Sequence, residues 1–520
     1  AGWQCGCLPR LGRMESRLLQ FSARRVLLLL ITLCVAGAMT VCGLGPNSLD
    51  SLAHGEPPKY SQFCPAPEPK DDDWRRGLPS AHGLETANIE DLMRAARAGA
   101  LGKLHSVLVV KDGVLVVEEY FHGASRDHCQ LIASVTKSLV SILVGMSLER
   151  SLEWTVDTPL VDFFPQYADA MAQDGKSAIT LANALTMTAG LDWDEYTYPH
   201  PDDRNPNTQM YKKADPKGFI LGRKLIHPPG ETWTYNSGLS VILGATVRRM
   251  TGRSIDKFAE AELFEPLGID RYHWFKHADG TVYSNGDLLL TPRDLAKIGL
   301  LVLNQGEWQG RRIVSQSWIA ESTRRYTTTR NEFGYGYQWR LGTVVRGERR
   351  FGIIFGSGTG GQKMFIVPDL KMVVVITAQV FGNSAGDVAA LRVLADYLIP
   401  AALPTRPQPQ VARPDATFLE AAIGNYVDPK SGHTVRVIRE DTTLFAKPSS
   451  HPKLPVGPDE LIEFTPSAPR RFHGYWSQAG NIVVDFNLDA AGTVIGLTAN
   501  VLLADRAYQK TDQVSLPSVE

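Results

Sequence analysis

Apolar and polar positions are patterned differently in successive stretches of this chain, and each pattern predicts a different kind of element. Residues 85–98 carry apolar positions at helical spacing. Residues 106–110 and 114–117 are short apolar runs separated by Lys111-Asp112-Gly113, and Asp-Gly between two such runs predicts a β-hairpin. The run from Leu139 to Met146 is apolar on nearly every side, so the helix that holds it is expected to be buried and central. From 150 to 330 the pattern is mostly helical with loops. It includes a short helix over 180–191 that ends at a glycine and another over 291–299 with Pro292 just inside its first turn. Residues 351–355, 363–367 and 372–378 read as strands. Strands at both ends of this region, with helices between, predict one sheet assembled from distant segments, an α+β architecture.

Two segments interrupt or extend that region. Pro400 to Pro414 holds five prolines in fifteen residues, a linker pattern, and after it 424–426, 433–439, 482–487 and 493–502 alternate as short strands of a small all-β domain. At the other end, reading from Met14, Arg17, Arg24 and Arg25 precede an apolar run from Val26 to Ala38, with small residues at Ala36-Gly37-Ala38. That is the layout of a signal peptide, and the uncharged stretch past Leu44 is also long enough for a membrane anchor. The expected plan is a signal or anchor over 1–44 (1–13 being an upstream extension), a linker over 45–83, a main domain over 84–400, a linker over 401–414 and a β domain over 415–520. Export to the periplasm or cell exterior is the expectation.

Composition narrows the function classes. The 520 residues are 43% hydrophobic and 21% charged, with a net charge of −1, so the chain is globular and has no electrostatic case for nucleic acid. Of six cysteines, four precede residue 43. Cys64 and Cys129 read as two free thiols, with one bridge between them as the alternative in an oxidising compartment. His200, His227, His273 and His277 show no metal-ligand spacing, and no phosphate loop or dinucleotide fingerprint is present, so no metal or cofactor is expected.

The candidate chemistry is Ser134-Val135-Thr136-Lys137. Residues three apart share a helix face, and a lysine in apolar surroundings loses its proton more readily, so Lys137 is placed to activate Ser134 as a nucleophile. Spacing alone is weak: Ser254/Lys257 and Ser450/Lys453 have it too. Ser254 reads as the N-cap of an amphipathic helix, and Ser450 lies in a Pro-rich stretch where no helix aligns the pair.

Two further motifs follow in order: Pro229-Gly230-Glu231-Thr232-Trp233-Thr234-Tyr235-Asn236-Ser237, and Gly356-Ser357-Gly358-Thr359-Gly360-Gly361-Gln362. With these three, residues 74–400 resemble the serine β-lactamase and penicillin-binding-protein superfamily, in particular the class C-like branch that includes 6-aminohexanoate-dimer hydrolases and esterases. The resemblance implies a β-lactamase-like fold: an antiparallel sheet flanked by helices, plus a helical subdomain. It implies Ser134 as nucleophile, Lys137 and Tyr235 sharing general base and acid work, and the backbone N–H groups of Ser134 and Thr359 as an oxyanion hole. A phenol between Ser134 and an ammonium is expected to ionise more easily than in water. Ser237, Gly356, Ser357, Gly358, Gln362 and Tyr196 are the expected substrate-binding positions, Tyr196 from an aromatic, acidic lid over 191–198. Gly356 stands where the family usually has Lys or His, which favours a small ester or non-standard amide as substrate over a β-lactam or D,D-peptide. A D,D-peptidase or β-lactamase, and a catalytically silent envelope-binding protein, are the alternatives.

Overall fold

The computed structural model describes residues 74–380, 385–403, 414–449, 461–476 and 480–511. The signal or anchor segment, most of the 45–83 linker and the Ser450/Lys453 pair lie outside them. Among the described residues no helix is long and apolar enough to cross a membrane.

Helix α1 (Thr86–Arg97) buries Ile89, Leu92, Met93 and Ala96, the face its spacing predicts. Strands β1 (Leu104–Lys111) and β2 (Val114–Tyr120) form the hairpin, with Asp112 and Gly113 both at positive φ (53° and 76°), as a type I′ turn requires. The start of the catalytic region is tied to this hairpin: Leu115 N donates to Arg75 O at 2.9 Å and Trp74 is buried. Helix α2 (Thr136–Leu148) is buried from Thr136 to Ser147, so it is the central helix that its apolar run implies.

Helix α3 (Ser237–Thr251) packs beside α2, and helix α4 (Pro292–Leu303) starts at Thr291, whose hydroxyl accepts from Asp294 N. The predicted helix over 180–191 is shorter, Leu181–Thr186. Thr180 and Asn183 close a capping box at its start, and Met187 turns left-handed at φ 59° to end it before the glycine.

Strands β3 (Arg340–Arg346), β4 (Arg349–Gly358), β5 (Gln362–Val367) and β6 (Met372–Ala378) complete one antiparallel sheet, in the order β2-β1-β6-β5-β4-β3, extended by two short strands at Gly334–Tyr335 and Thr327–Thr328. One apolar core lies between the sheet and α2, α3 and α4, and a second between the other sheet face and α1 with the helix around Val393–Leu398.

Beyond the linker, Ala416–Ala422 is a short helix that the strand pattern did not foresee, capped by Asp415. The tail then closes into an eight-stranded antiparallel barrel: β7 (Gly424–Val427), β8 (Thr434–Glu440), β9 (Thr443–Pro448), β10 (Ile462–Ala468), β11 (Arg471–Trp476), β12 (Gly480–Leu488), β13 (Val494–Val501) and β14 (Ala504–Thr511). Closure leaves no free edge, which suits a small domain with its own core of Tyr426, Phe464, Phe472 and Phe486. The barrel and the main domain belong to one compact unit. Cys129 is disulfide-bonded, so the expectation of two free thiols is corrected at Cys129.

Candidate active site

Ser134 lies in a single 3-10 turn, Ala133–Val135, immediately ahead of α2. Lys137 lies in the first turn of α2, three residues on, which brings its side chain back towards Ser134. Lys137 Nζ lies 2.9 Å from Ser134 Oγ and donates to Asn285 O at 2.5 Å. Ala133, directly before Ser134, sits at φ 45°, a left-handed conformation uncommon for a residue with a Cβ.

Lys137 is almost fully buried, and desolvation brings its pKa down to about 8 against the raising pull of Glu195 and Asp287. Its ammonium also lies 5.0 Å from the centre of the Tyr235 ring. Tyr235 departs from its expected behaviour. Burial, with the nearby charge of Glu195, pushes the phenol up to about 12, and Arg340 and a hydrogen bond with Ser134 only partly offset this. Easier ionisation is therefore corrected: Tyr235 stays a neutral O–H through the physiological range, because loss of water outweighs the cation beside it.

Strand β4 runs across the front of this group. Gly358 and Gly356 face the turn over residues 132–135 and the start of α2 at a distance that excludes side chains. A Cβ at Gly358 would stand 2.4 Å from Ile132 O, and one at Gly356 2.9 Å from Val135 Cγ1. Gly356 is thus a contact point between strand and helix as well as a missing cation.

Ser134, Tyr235, Tyr196, Ser357, Gly358 and Thr359 share a cleft of about 190 Å³. Tyr196 and Tyr235, with ring centres 5.8 Å apart, also border a second hollow beside Trp193 and Trp233. A larger hollow of about 530 Å³ on the far side of α3 contains none of the three proposed reacting side chains.

Three of the six expected substrate positions lie elsewhere. Ser237 is buried at the first turn of α3, where its N–H and hydroxyl both donate to Glu195, the hydroxyl at 2.9 Å. Gln362 bridges β5 to β6, donating to Ala378 O at 2.5 Å and accepting from Ala378 N at 3.3 Å. Gly356, within β4, faces Val135 and Ser138.

Several neighbours escaped the sequence reading. Glu195 is held by Ser237, and burial raises its pKa while Lys137 lowers it. Asp287, at φ 53°, accepts from Tyr211 at 2.9 Å, and burial lifts its carboxyl to about 6. Arg340 stands 5.6 Å over the Tyr235 ring. The acidic character of the 191–198 loop was the available signal for Glu195; Asp287 and Arg340 carried none. Among the described residues no group of His, Cys, Asp or Glu side chains is placed to hold a metal ion.

A half-buried serine beside a buried lysine, on a helix covered by an antiparallel sheet, defines the serine-hydrolase class of acyl-transfer sites. The chain belongs to the Beta-lactamase family, whose model matches residues 86–398. It is 27% identical over 288 residues to the 6-aminohexanoate-dimer hydrolase of Paenarthrobacter ureafaciens, covering 52% of this chain and 70% of that protein. It is 27% identical over 211 residues to esterase EstB of Burkholderia gladioli, covering 37% of this chain and 53% of the esterase. A candidate 6-aminohexanoate-dimer hydrolase from Bacillus anthracis shares the fold, with a TM-score of 0.52 at 19% identity over 65% of this chain and 91% of that one. The chain is therefore a hydrolase of the β-lactamase superfamily.

Proposed function

We propose that the protein is an exported hydrolase that cleaves a small carboxylic ester or non-standard amide through an acyl-enzyme on Ser134. The observation that carries this reading is the 2.9 Å approach of Lys137 Nζ to Ser134 Oγ, with the amine at about pKa 8. About half of the molecules then carry a neutral amine at pH 8. As Ser134 Oγ attacks the carbonyl carbon, Lys137 takes its proton. The tetrahedral oxyanion is held by the backbone N–H groups of Ser134 and Thr359. Tyr235, a neutral O–H, donates its proton to the departing oxygen or nitrogen and is reprotonated from Lys137. Water, deprotonated along the same route, then releases the acid and restores Ser134.

The esterase and amide-hydrolase relatives support ester or amide as the substrate class. Gly356 leaves no cation at that position of β4 for a β-lactam carboxylate, and the strand has no room for a side chain there. The basic, apolar, small-residue order of 24–38 supports export, and so does the disulfide at Cys129, since such bonds persist in oxidising compartments. A fluorophosphonate probe is expected to label the wild-type protein and 4-nitrophenyl butyrate to be turned over, both being lost in Ser134→Ala. Undiminished labelling or turnover in that variant would overturn the assignment.

A further inference from the structure

The barrel turn between β13 and β14 reaches the cleft. Leu502 and Leu503 form a two-residue hairpin turn, both at positive φ (50° and 66°), between the paired residues Val501 and Ala504. Two leucines in this conformation are strained, since such turns normally use Asn or Gly. Contacts with the sheet edge hold the turn in place. Leu503 is buried, its carbonyl accepts from Thr343 N at 2.8 Å, and it abuts Gly342, where an added Cβ would stand 3.0 Å away. Asn500 Nδ2 donates to Thr343 O at 3.1 Å, and Arg350 pairs with Asp505 beside the turn. Strain concentrated where one domain enters the cleft of another points to a positional role.

The turn leaves Leu502 and Arg506 on the cleft wall, across from Ser134. Charge on that wall is unbalanced. Lys363 is paired with Asp387. Arg340 hydrogen-bonds Tyr196 and stands over the Tyr235 ring, both neutral groups. Asp428, the carboxylate that feels Arg506, already accepts from Lys430 N and Ser431 Oγ. Among the described residues neither Arg340 nor Arg506 is in an ion pair. A small cleft lined by two guanidinium groups, neither in an ion pair among the described residues, suits a ligand that brings a carboxylate.

We infer that the C-terminal barrel supplies a specificity-determining residue, Arg506, and that the substrate is an ester or amide carrying a carboxylate, held by Arg506 with Arg340. This rests on the hydrolase reading above and names its substrate class. The anion site that β4 lacks at Gly356 is provided from the opposite wall.

The test compares matched substrates on the full chain: 4-nitrophenyl hydrogen glutarate against 4-nitrophenyl pentanoate, and 3-carboxyphenyl butyrate against phenyl butyrate. In at least one pair the wild type is expected to favour the anion in kcat/KM by about tenfold or more, the scale of one charge-assisted contact. Arg506→Gln is expected to remove most of that ratio and Arg506→Lys to keep part of it. Damage to the barrel fold alone would slow both members of a pair together and leave the ratio intact. An equal preference in the wild type, or a ratio unmoved by Arg506→Gln, would overturn the inference. Calorimetry on Ser134→Ala protein separates this from the hydrolase reading: monomethyl glutarate should bind more tightly than dimethyl glutarate, and Arg506→Gln should erase the difference. Equal binding of the two would refute the anion site even if hydrolysis is found, and a difference would uphold it even if none is.

Discussion

Two described segments of this chain have serine and lysine three residues apart, and they have become different objects. At Ser254, the serine is the cap position of the short helix Ile255–Ala259, and Lys257 reaches outward to Glu260 at 2.6 Å. The ion pair raises that lysine's pKa. At Ser134 the lysine is enclosed by α2 and its neighbours, loses its water, and falls to about 8. Spacing is common to both. What separates them is whether the lysine's charge is solvated, since desolvation penalises the ammonium and a surface carboxylate rewards it. A reactive pair of this kind is therefore made by the core around it.

Lys137→Met against Lys257→Met gives the widest separation. The first is expected to lower kcat/KM by a factor of about 10²–10⁴, the usual worth of a positioned general base, and the second to leave it unchanged. Comparable losses from both would erase the distinction. A smaller effect comes from the strand that closes over the serine. Gly358→Ala forces a methyl group to within 2.4 Å of Ile132 O, and melting curves should show a loss of about 1–3 kcal/mol, with labelling of Ser134 slowed beyond what the unfolded fraction explains. A variant as stable and as reactive as the wild type would mean that β4 does not press on the nucleophile turn.

The finest test is the pH profile. On the proposed mechanism the neutral form of Lys137 is the active one, so kcat/KM should rise with pH and level off above about 8. Asp287 raises that pKa while ionised, which with a carboxyl at about 6 it is at pH 8. Asp287→Asn should then move the rising limb to lower pH. Asn tolerates the φ of 53° and can still accept from Tyr211, so the fold should hold. A limb that stays put would separate Asp287 from the lysine's titration.

Local features of the fold were legible because local chemistry determines them. Asp112-Gly113 made a hairpin turn, Thr291-Pro292 opened a helix, and the uniform apolar run after Ser138 announced a helix with no wet face. Positions within the site were harder, because motif membership does not say where a side chain points. Ser237 shares a motif with Tyr235 but starts a helix, which turns its hydroxyl towards Glu195. Gln362 begins β5 and reaches across to β6. The ionisation of Tyr235 was not legible because its burial and the charge of Glu195 beside it arise only when the chain folds. Least legible was the contact between residues 342–343 and 500–503, since nothing in a strand's own pattern says which distant cleft its turn will enter.

That contact divides labour between two separately closed structures. β4 packs on the turn that bears Ser134 and on the start of α2 with no room for a methyl group at Gly356 or Gly358, so this part of the proposed site offers little latitude for change. The barrel lines the cleft through one hairpin, while its other contacts with the main domain, such as Arg471 to Gly347 O and Lys430 to Glu332, lie away from the cleft lining. New substrate preferences are accordingly open to exchange of four or five residues around Leu502 with the chemical step left alone, and a version of the chain cut at the 404–413 linker would be an enzyme with one wall missing.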